Sequence, residues 1–298
     1  MEPFPPVLLG TSSWTASGWR GAFYPPKTRA DEYLAFYARF FPTVEIDSTF
    51  YAVPAPATVR GWAERVPAGF LFSAKAPRVI THDRVLDGAL PDLEQFCTAM
   101  ALLGDRLGPL LLQFPYFNRK QFSGLQPFLD RLSPFLDSLP GGFQWALEIR
   151  NKAWICPRLL DLLHSHGIAF TLIDHPWAPR PGDYARLLGS VDVLATGPFC
   201  YVRWLGDRHK IEEQTAIWNR TLVDRTTELG EWAELIRSIG PRVSRTYAYA
   251  NNHYAGFAPD TLRLFNSAWE GGLLPEAENE LGGAGDSPSA DDDFVLTT

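Results

Sequence analysis

Residues 42–54 read PTVEIDSTFYAVP, a β-branched run bounded by prolines, with two carboxylates, Glu45 and Asp47, set two positions apart inside it. The composition and the flanking breakers predict a buried strand. Side chains alternate between the two faces of a strand, so Glu45, Asp47 and Thr49 project one way while Val44 and Ile46 project the other. A buried strand with one charged face needs two different environments. A closed barrel supplies them, because one set of side chains meets a layer of helices and the other meets the axis.

Seven more strand-like runs recur along the chain: VLLGTSSW from Val7, FLFSAKAP from Phe70, PLLLQFP from Pro109, QWALEIR from Gln144, AFTLID from Ala169, FCYVRWL from Phe199 and RTYAYANN from Arg245. Helical spacing fills the intervals, as in ADEYLAFYARFF from Ala30, PDLEQFCTAMALLGDRL from Pro91 and a long segment running from Glu212 to Gly240. PRLLDLLHSHG from Pro157 sets Leu159, Leu162 and Leu163 on one face and stops at Gly167. Strand and helix alternate eight times, which predicts an α/β fold, a (β/α)8 barrel of the TIM type, in a single domain over residues 1–274. An open doubly wound sheet is the competing architecture, but no GxGxxG follows the first strand.

The net charge of -7 would ordinarily argue against an anionic partner, but its location changes the argument. Residues 275–298 hold Glu276, Glu278, Glu280, Asp286, Asp291, Asp292 and Asp293 and no Lys or Arg, and without these seven the body balances 27 acids against 27 bases. The composition of 275–298 predicts a disordered acidic tail, a solubilising segment in the first instance and a tether for a protein partner in the second. No apolar run reaches the roughly 18 residues of a membrane span, and the N-terminus lacks the features of a signal peptide. Cys97, Cys156 and Cys200 are widely spaced with no CxxC pair, which fits neither a disulfide framework nor a cysteine zinc site. A cytoplasmic protein with no membrane partner is expected.

Applying strand parity along the chain directs Glu45, Asp47, Lys75, Gln113, Glu148, Arg150, Asp174, Arg203 and one of Asn251 or Asn252 toward the axis, near the carboxyl ends of the strands. Four carboxylates and three cations then converge on one pole. A lone charge inside a strand is more often half of a structural ion pair, and Glu45 with Arg150 or Glu148 with Lys75 could be such pairs. Burying ion pairs adds little stability, so a cluster this large points to a site. His82, His175, His209 and His253 follow predicted strands on the same side, and histidine with carboxylate is a ligand set for zinc, manganese or iron. Aromatic residues crowd the same loops: Trp14, Trp19, Phe23, Tyr24, Tyr51, Trp154, Trp177 and Trp204. Exposed rings there would stack on sugars or bases, with packing expected to absorb about half of them.

The motifs GTSSWTASGWRGAFYP, TVEIDSTFYAVP, FSAKAPRVITH, GPLLLQFP, ALEIRNKAW, YVRWLG and YANN occur in this order and span nearly the whole body. Together they resemble the DUF72 (YecE-like) family. The resemblance implies a TIM-type barrel with no established biochemical role, whose pocket has been likened to metal-dependent nucleases of the endonuclease IV type. It carries over polar positions to Glu45, Asp47, Lys75, His82, Gln113, Glu148, Arg150, Arg203 and Asn251. Asp47 stands where the family pattern has asparagine, and Asn151 and Leu205 stand where it often has histidine.

These readings lead to a hydrolase-type enzyme acting on a phosphorylated, nucleotide-like or nucleic-acid phosphodiester substrate. Lys75, Arg150 and Arg203 would hold phosphate oxygens. Glu45, Asp47, Glu148 and Asp174 would bind a divalent metal ion or act as general base, with His82 a proton donor. Trp14, Tyr51, Gln113, Trp154, Asn251 and Asn252 would contact substrate. Sugar isomerisation or glycoside cleavage by paired carboxylates is the second class, and a non-catalytic binding barrel the third.

Overall fold

The computed structural model describes residues 4–270. Its strands are β1 (Val7–Thr11), β2 (Thr43–Ile46), β3 (Leu71–Lys75), β4 (Leu107–Gln113), β5 (Trp145–Glu148), β6 (Ala169–Asp174), β7 (Cys200–Trp204) and β8 (Thr246–Ala250), one in each predicted run. The helices are α1 (Tyr33–Tyr37), α2 (Pro56–Glu64), α3 (Leu90–Ala101), α4 (Leu125–Asp137), α5 (Pro157–Ser165), α6 (Asp183–Leu188), α7 (Arg208–Glu212), α8 (Thr226–Ile239), α9 (Asn252–Ala255) and α10 (Ala258–Glu270). All strand pairs are parallel and run in chain order from β2 to β8, with β8 returning to β1. The expected (β/α)8 TIM-type barrel is the observed fold. The acidic tail expected at 275–298 lies outside the described residues. Among those residues no helix is long and apolar enough to cross a membrane, and all three cysteines are free.

Helices cover the outside of the sheet, so outward strand residues are as apolar as inward ones at the floor, which accounts for the nearly continuous apolar runs. Val44, Ile46, Phe70, Phe72, Leu110, Leu112, Trp145 and Leu147 pack beneath the helices in the large outer core. Leu111, Ala146, Ala169, Phe199, Tyr201, Tyr247 and Tyr249 fill the axis as a separate cluster. Helix α5 starts with Pro157 at its first turn and ends before Gly167 at φ +64, as its sequence predicts. Its buried residues are Leu159, Leu160 and Leu163, so Leu160 takes the place expected for Leu162.

Of the segment from Glu212 to Gly240, Glu212 ends α7 and α8 forms the α-helix that follows, in contrast to the expected long helix. Residues 213–225 instead cross the barrel end, tied by Trp218 N–H to the Ser17 carbonyl at 2.9 Å and Leu222 N–H to the Ala255 carbonyl at 2.7 Å. Those distant backbone acceptors replace the helical ones.

Strands β1 and β2 share no ladder among the described residues, and a side chain bridges this seam. The Tyr37 hydroxyl accepts from the Thr11 N–H at 2.8 Å and donates to the Thr43 carbonyl at 3.0 Å. Tyr37 is fully buried, so losing the hydroxyl orphans a donor and an acceptor together. We expect Tyr37→Phe to lower unfolding free energy by about 1–2 kcal/mol in urea titration. An unchanged midpoint would show that the seam does not depend on that hydroxyl.

Candidate active site

Above the axial tyrosines lies a buried ionic platform. Arg203, 3% exposed in its side chain, bonds Glu45 Oε1 through Nη2 at 2.7 Å and Glu148 Oε2 through Nη1 at 2.6 Å. Both carboxylates are fully buried. Tyr201 donates to the second Glu45 oxygen at 2.7 Å, and Arg150 Nε to the second Glu148 oxygen at 2.5 Å. Burial pushes the Glu148 carboxyl up, but Arg150 and Arg203 outweigh it and hold the group at about 2. Each carboxylate oxygen therefore has a cation or hydroxyl against it. Such a network fixes direction more than it adds stability.

What it directs is Arg150. With Nε committed to Glu148, its two terminal nitrogens have no protein acceptor among the described residues, and the side chain is 20% exposed. Lys75 ends β3 within reach of the charges of Arg203, Glu148 and Glu45, its Nζ 3.3 Å from Asp47 Oδ1 and 3.8 Å from the centre of the Phe50 ring. Burial lowers the pKa of Lys75, against the opposing pull of Asp47. His82 packs on the other side of that neighbourhood, its ring 4.8 Å from Phe50. Burial first, then the charges of Lys75 and Arg78, bring His82 down to about 4. Its ring is neutral at pH 7 and fits a proton acceptor better than the expected proton donor. His175 is likewise brought to about 4 by burial and by Arg150. The backbone after His82 is strained, with Val85 at φ 47 and Leu86 at φ 72, a conformation that a β-branched residue adopts only when its surroundings impose it.

Strand parity placed Glu45, Asp47, Lys75, Gln113, Glu148, Arg150 and Arg203 on the axial side, and the structure brings all but Gln113 into two ion-paired groups, Glu45–Arg203–Glu148–Arg150 and Lys75–Asp47, whose charges act on one another. Gln113 is buried and spends its amide on the adjoining Phe114 carbonyl at 2.6 Å. Asp174 is corrected. It accepts from Trp232 Nε1 of α8 at 2.6 Å and from the Tyr254 hydroxyl of α9 at 3.0 Å, so it faces the helices. Register explains this: Ile173 pairs with Arg203 and takes the axial position, leaving Asp174 beside Trp204. The ion pairs also differ from those expected, since Glu45 binds Arg203 and Glu148 binds both Arg203 and Arg150.

The last strand resolves in favour of Asn251, which continues the inward parity of Tyr247 and Tyr249 and accepts from His253 Nδ1 at 2.6 Å. Asn252 ties Trp19 Nε1 and the Ala258 N–H instead. Most of the expected aromatic rim is core. Trp19, Phe23, Tyr24, Trp154 and Trp204 are buried, and Trp14 packs on Trp62 and Phe72. Tyr51 and Trp177 are open, 75% and 66% exposed, and Tyr116, which strand parity does not reach, joins them at 58%. These three rings sit on the loops after β2, β6 and β4, spaced around the mouth. Phe50 and Tyr201 are the other additions; Tyr201 shares the inward parity of Arg203 two residues later and was legible on that ground.

A divalent metal does not fit this donor set. Among the described residues no three His, Cys, Asp or Glu side chains come together as a ligand group, and Glu45 and Glu148 are already taken up by arginine.

The family model described as "Protein of unknown function DUF72" matches residues 8–280. The chain belongs to the DUF72 family. This DUF72 chain is 27% identical over 241 residues to the UPF0759 protein YecE of Escherichia coli (strain K12), covering 72% of this chain and 86% of that one. It is 28% identical over 184 residues to the UPF0759 protein YunF of Bacillus subtilis (strain 168), covering 57% and 61% of the two chains. A crystal structure of a DUF72 family protein from Thermotoga maritima MSB8 superposes with a TM-score of 0.68 at 26% identity, over 88% of this chain and 98% of that one.

Proposed function

We propose that the barrel mouth is the active site of a hydrolase-type enzyme that binds and cleaves a phosphate ester carrying a flat ring, of the nucleotide type. One observation carries the reading: Arg150 is gripped through Nε by Glu148, is 20% exposed, and keeps both terminal nitrogens without a protein acceptor among the described residues. A guanidinium in that state is a preformed fork for two phosphate oxygens. The loops around it favour an anion. Arg119 and Lys120 between β4 and α4, and Arg150 and Lys152 between β5 and α5, have no acidic residue among them. Tyr51, Tyr116 and Trp177 offer open ring faces for a base. His82, neutral at pH 7, would take a proton from water.

Glycoside cleavage is less well supported. It requires one carboxyl group held protonated, whereas Glu148 is kept ionised at about 2 and both buried carboxylates are bonded to Arg203.

Titration calorimetry with AMP and ADP at low salt tests the binding step. Binding weakened about tenfold or more by Arg150→Ala is the expected result, the loss of a charged hydrogen-bonding pair. Binding that ignores Arg150, or none at all, would overturn the reading. Release of p-nitrophenol from bis(p-nitrophenyl) phosphate, absent in the same variant, is the expected turnover; nucleotide binding without turnover on any phosphate ester would leave a non-catalytic binding barrel.

A further inference from the structure

We propose that Lys75 is an amine nucleophile that forms an imine with the carbonyl group of a phosphorylated aldehyde or ketone held at the barrel mouth. The proposal rests on the phosphate-binding part of the reading above and gives the site a carbonyl-bearing phosphate as substrate, whose ester is broken by elimination in place of hydrolysis. Lys27, Lys120, Lys152 and Lys210 are exposed, and Lys75 is the remaining lysine of the sequence, its side chain 11% exposed. It ends β3 on the axial side, where barrel enzymes place reacting groups. The Thr49 hydroxyl fixes its backbone by donating to the Lys75 carbonyl at 2.6 Å.

The surroundings suit an amine that must lose a proton and attack. The Phe50 ring covers one side of Nζ at 3.8 Å, excluding water there while its face attracts the ammonium. Burial is the main cause that disfavours the charged amine and Arg203 adds to it, against the opposing pull of Asp47, Glu148 and Glu45. Asp47 Oδ1 is buried, lies 3.3 Å from Nζ and has no hydrogen-bond partner of good geometry. The Asp47 side chain is 37% exposed and stands within reach to accept a proton.

The chemistry balances without an oxidant or a metal. Asp47 accepts a proton from the Lys75 ammonium, and the Nζ lone pair bonds to the carbonyl carbon. The carbonyl π pair moves to oxygen, which takes up the proton from Asp47. Loss of water from this carbinolamine leaves a protonated imine. Removal of a proton from the adjoining carbon, with neutral His82 as acceptor, sends the C–H electrons into an enamine. A phosphate on the following carbon then leaves with the electrons of its C–O bond, and water returns the lysine. This route breaks a phosphate ester with the groups at hand: Lys75 to bind, Asp47 and His82 to move protons, and Arg150 to hold the departing anion.

Pyridoxal 5'-phosphate, which carries an aldehyde, a phosphate and a ring, is the probe. The full chain is incubated with it at pH 7, reduced with borohydride, and mapped by peptide mass spectrometry. The expected result is a reduced adduct on Lys75 forming about tenfold faster than on any exposed lysine, slowed by pyridoxine 5'-phosphate, which has no aldehyde. Labelling confined to Lys27, Lys120, Lys152 and Lys210 would overturn the proposal. Lys75→Arg, which preserves the charge, is expected to abolish the fast phase of adduct formation. If AMP binding depends on Arg150 but Lys75 stays unlabelled, the imine fails and the phosphate site stands. Labelling of Lys75 that pyridoxine 5'-phosphate does not slow would mean that no phosphate site guides the reaction.

Discussion

Replacing Arg203 with methionine is expected to lower the stability of the barrel by about 3–5 kcal/mol, the penalty for leaving buried carboxylates without their cation. Arg203 is the cation bonded to Glu45, while Glu148 would keep Arg150. Tyr201 would still donate to Glu45, but a hydroxyl does not offset a buried charge. For a domain of this size the loss corresponds to a fall in Tm of roughly 10 °C. The double variant Arg203→Met with Glu45→Gln removes the stranded charge and is expected to recover part of the loss; no recovery would mean that the arginine acts by packing alone. Acid titration gives a second readout. Glu148 sits at about 2 in the folded chain against an ordinary 4.5. Its contribution is therefore complete above 4.5 and disappears as the pH falls from there toward 2. The drop in stability across that window should be smaller in Arg203→Met, where half of the cationic hold on Glu148 is gone.

Gly10→Ala is expected to destabilise by about 3 kcal/mol through overpacking at the seam. A Cβ built on Gly10 would lie 2.2 Å from the Thr43 carbonyl oxygen and 2.8 Å from its carbon. These are backbone atoms of β2, so no side-chain rotation relieves the clash. The strands would have to part, and parting them also stretches the Tyr37 bridge between Thr11 and Thr43. Urea unfolding of Gly10→Ala beside Gly21→Ala would separate crowding from backbone strain, since a Cβ on Gly21 meets nothing within 4 Å although its φ is +91. Equal losses would contradict the crowding account.

The barrel was legible because apolar runs and helical stripes alternate along the chain, and that alternation is a local property. Axial parity was legible where a polar residue near a strand end lies in register with apolar residues facing the helices, as at Glu45, Lys75, Glu148 and Arg203. It failed at Asp174 because that residue's partners, Trp232 and Tyr254, arrive from helices 58 and 80 residues later. Nothing in AFTLID distinguishes a carboxylate aimed at a tryptophan from one aimed at the axis. The same limit applies to residues 213–225, whose helical spacing yields to backbone partners on other loops, and to the aromatic loops. A ring's type does not say whether it faces solvent or core, so Trp19, Phe23 and Tyr24 read like Tyr51 and Trp177. The seam was hidden for a different reason, since Tyr37 stands in a helix and its hydroxyl does work that a strand ladder ordinarily performs.

The most direct measurement is a crystal structure of the protein soaked with AMP. Phosphate oxygens within hydrogen-bond distance of both Arg150 terminal nitrogens, with the base against Tyr51, Tyr116 or Trp177, is the predicted result. A nucleotide seated on the outer helices, or a mouth left empty at saturating AMP, would contradict it.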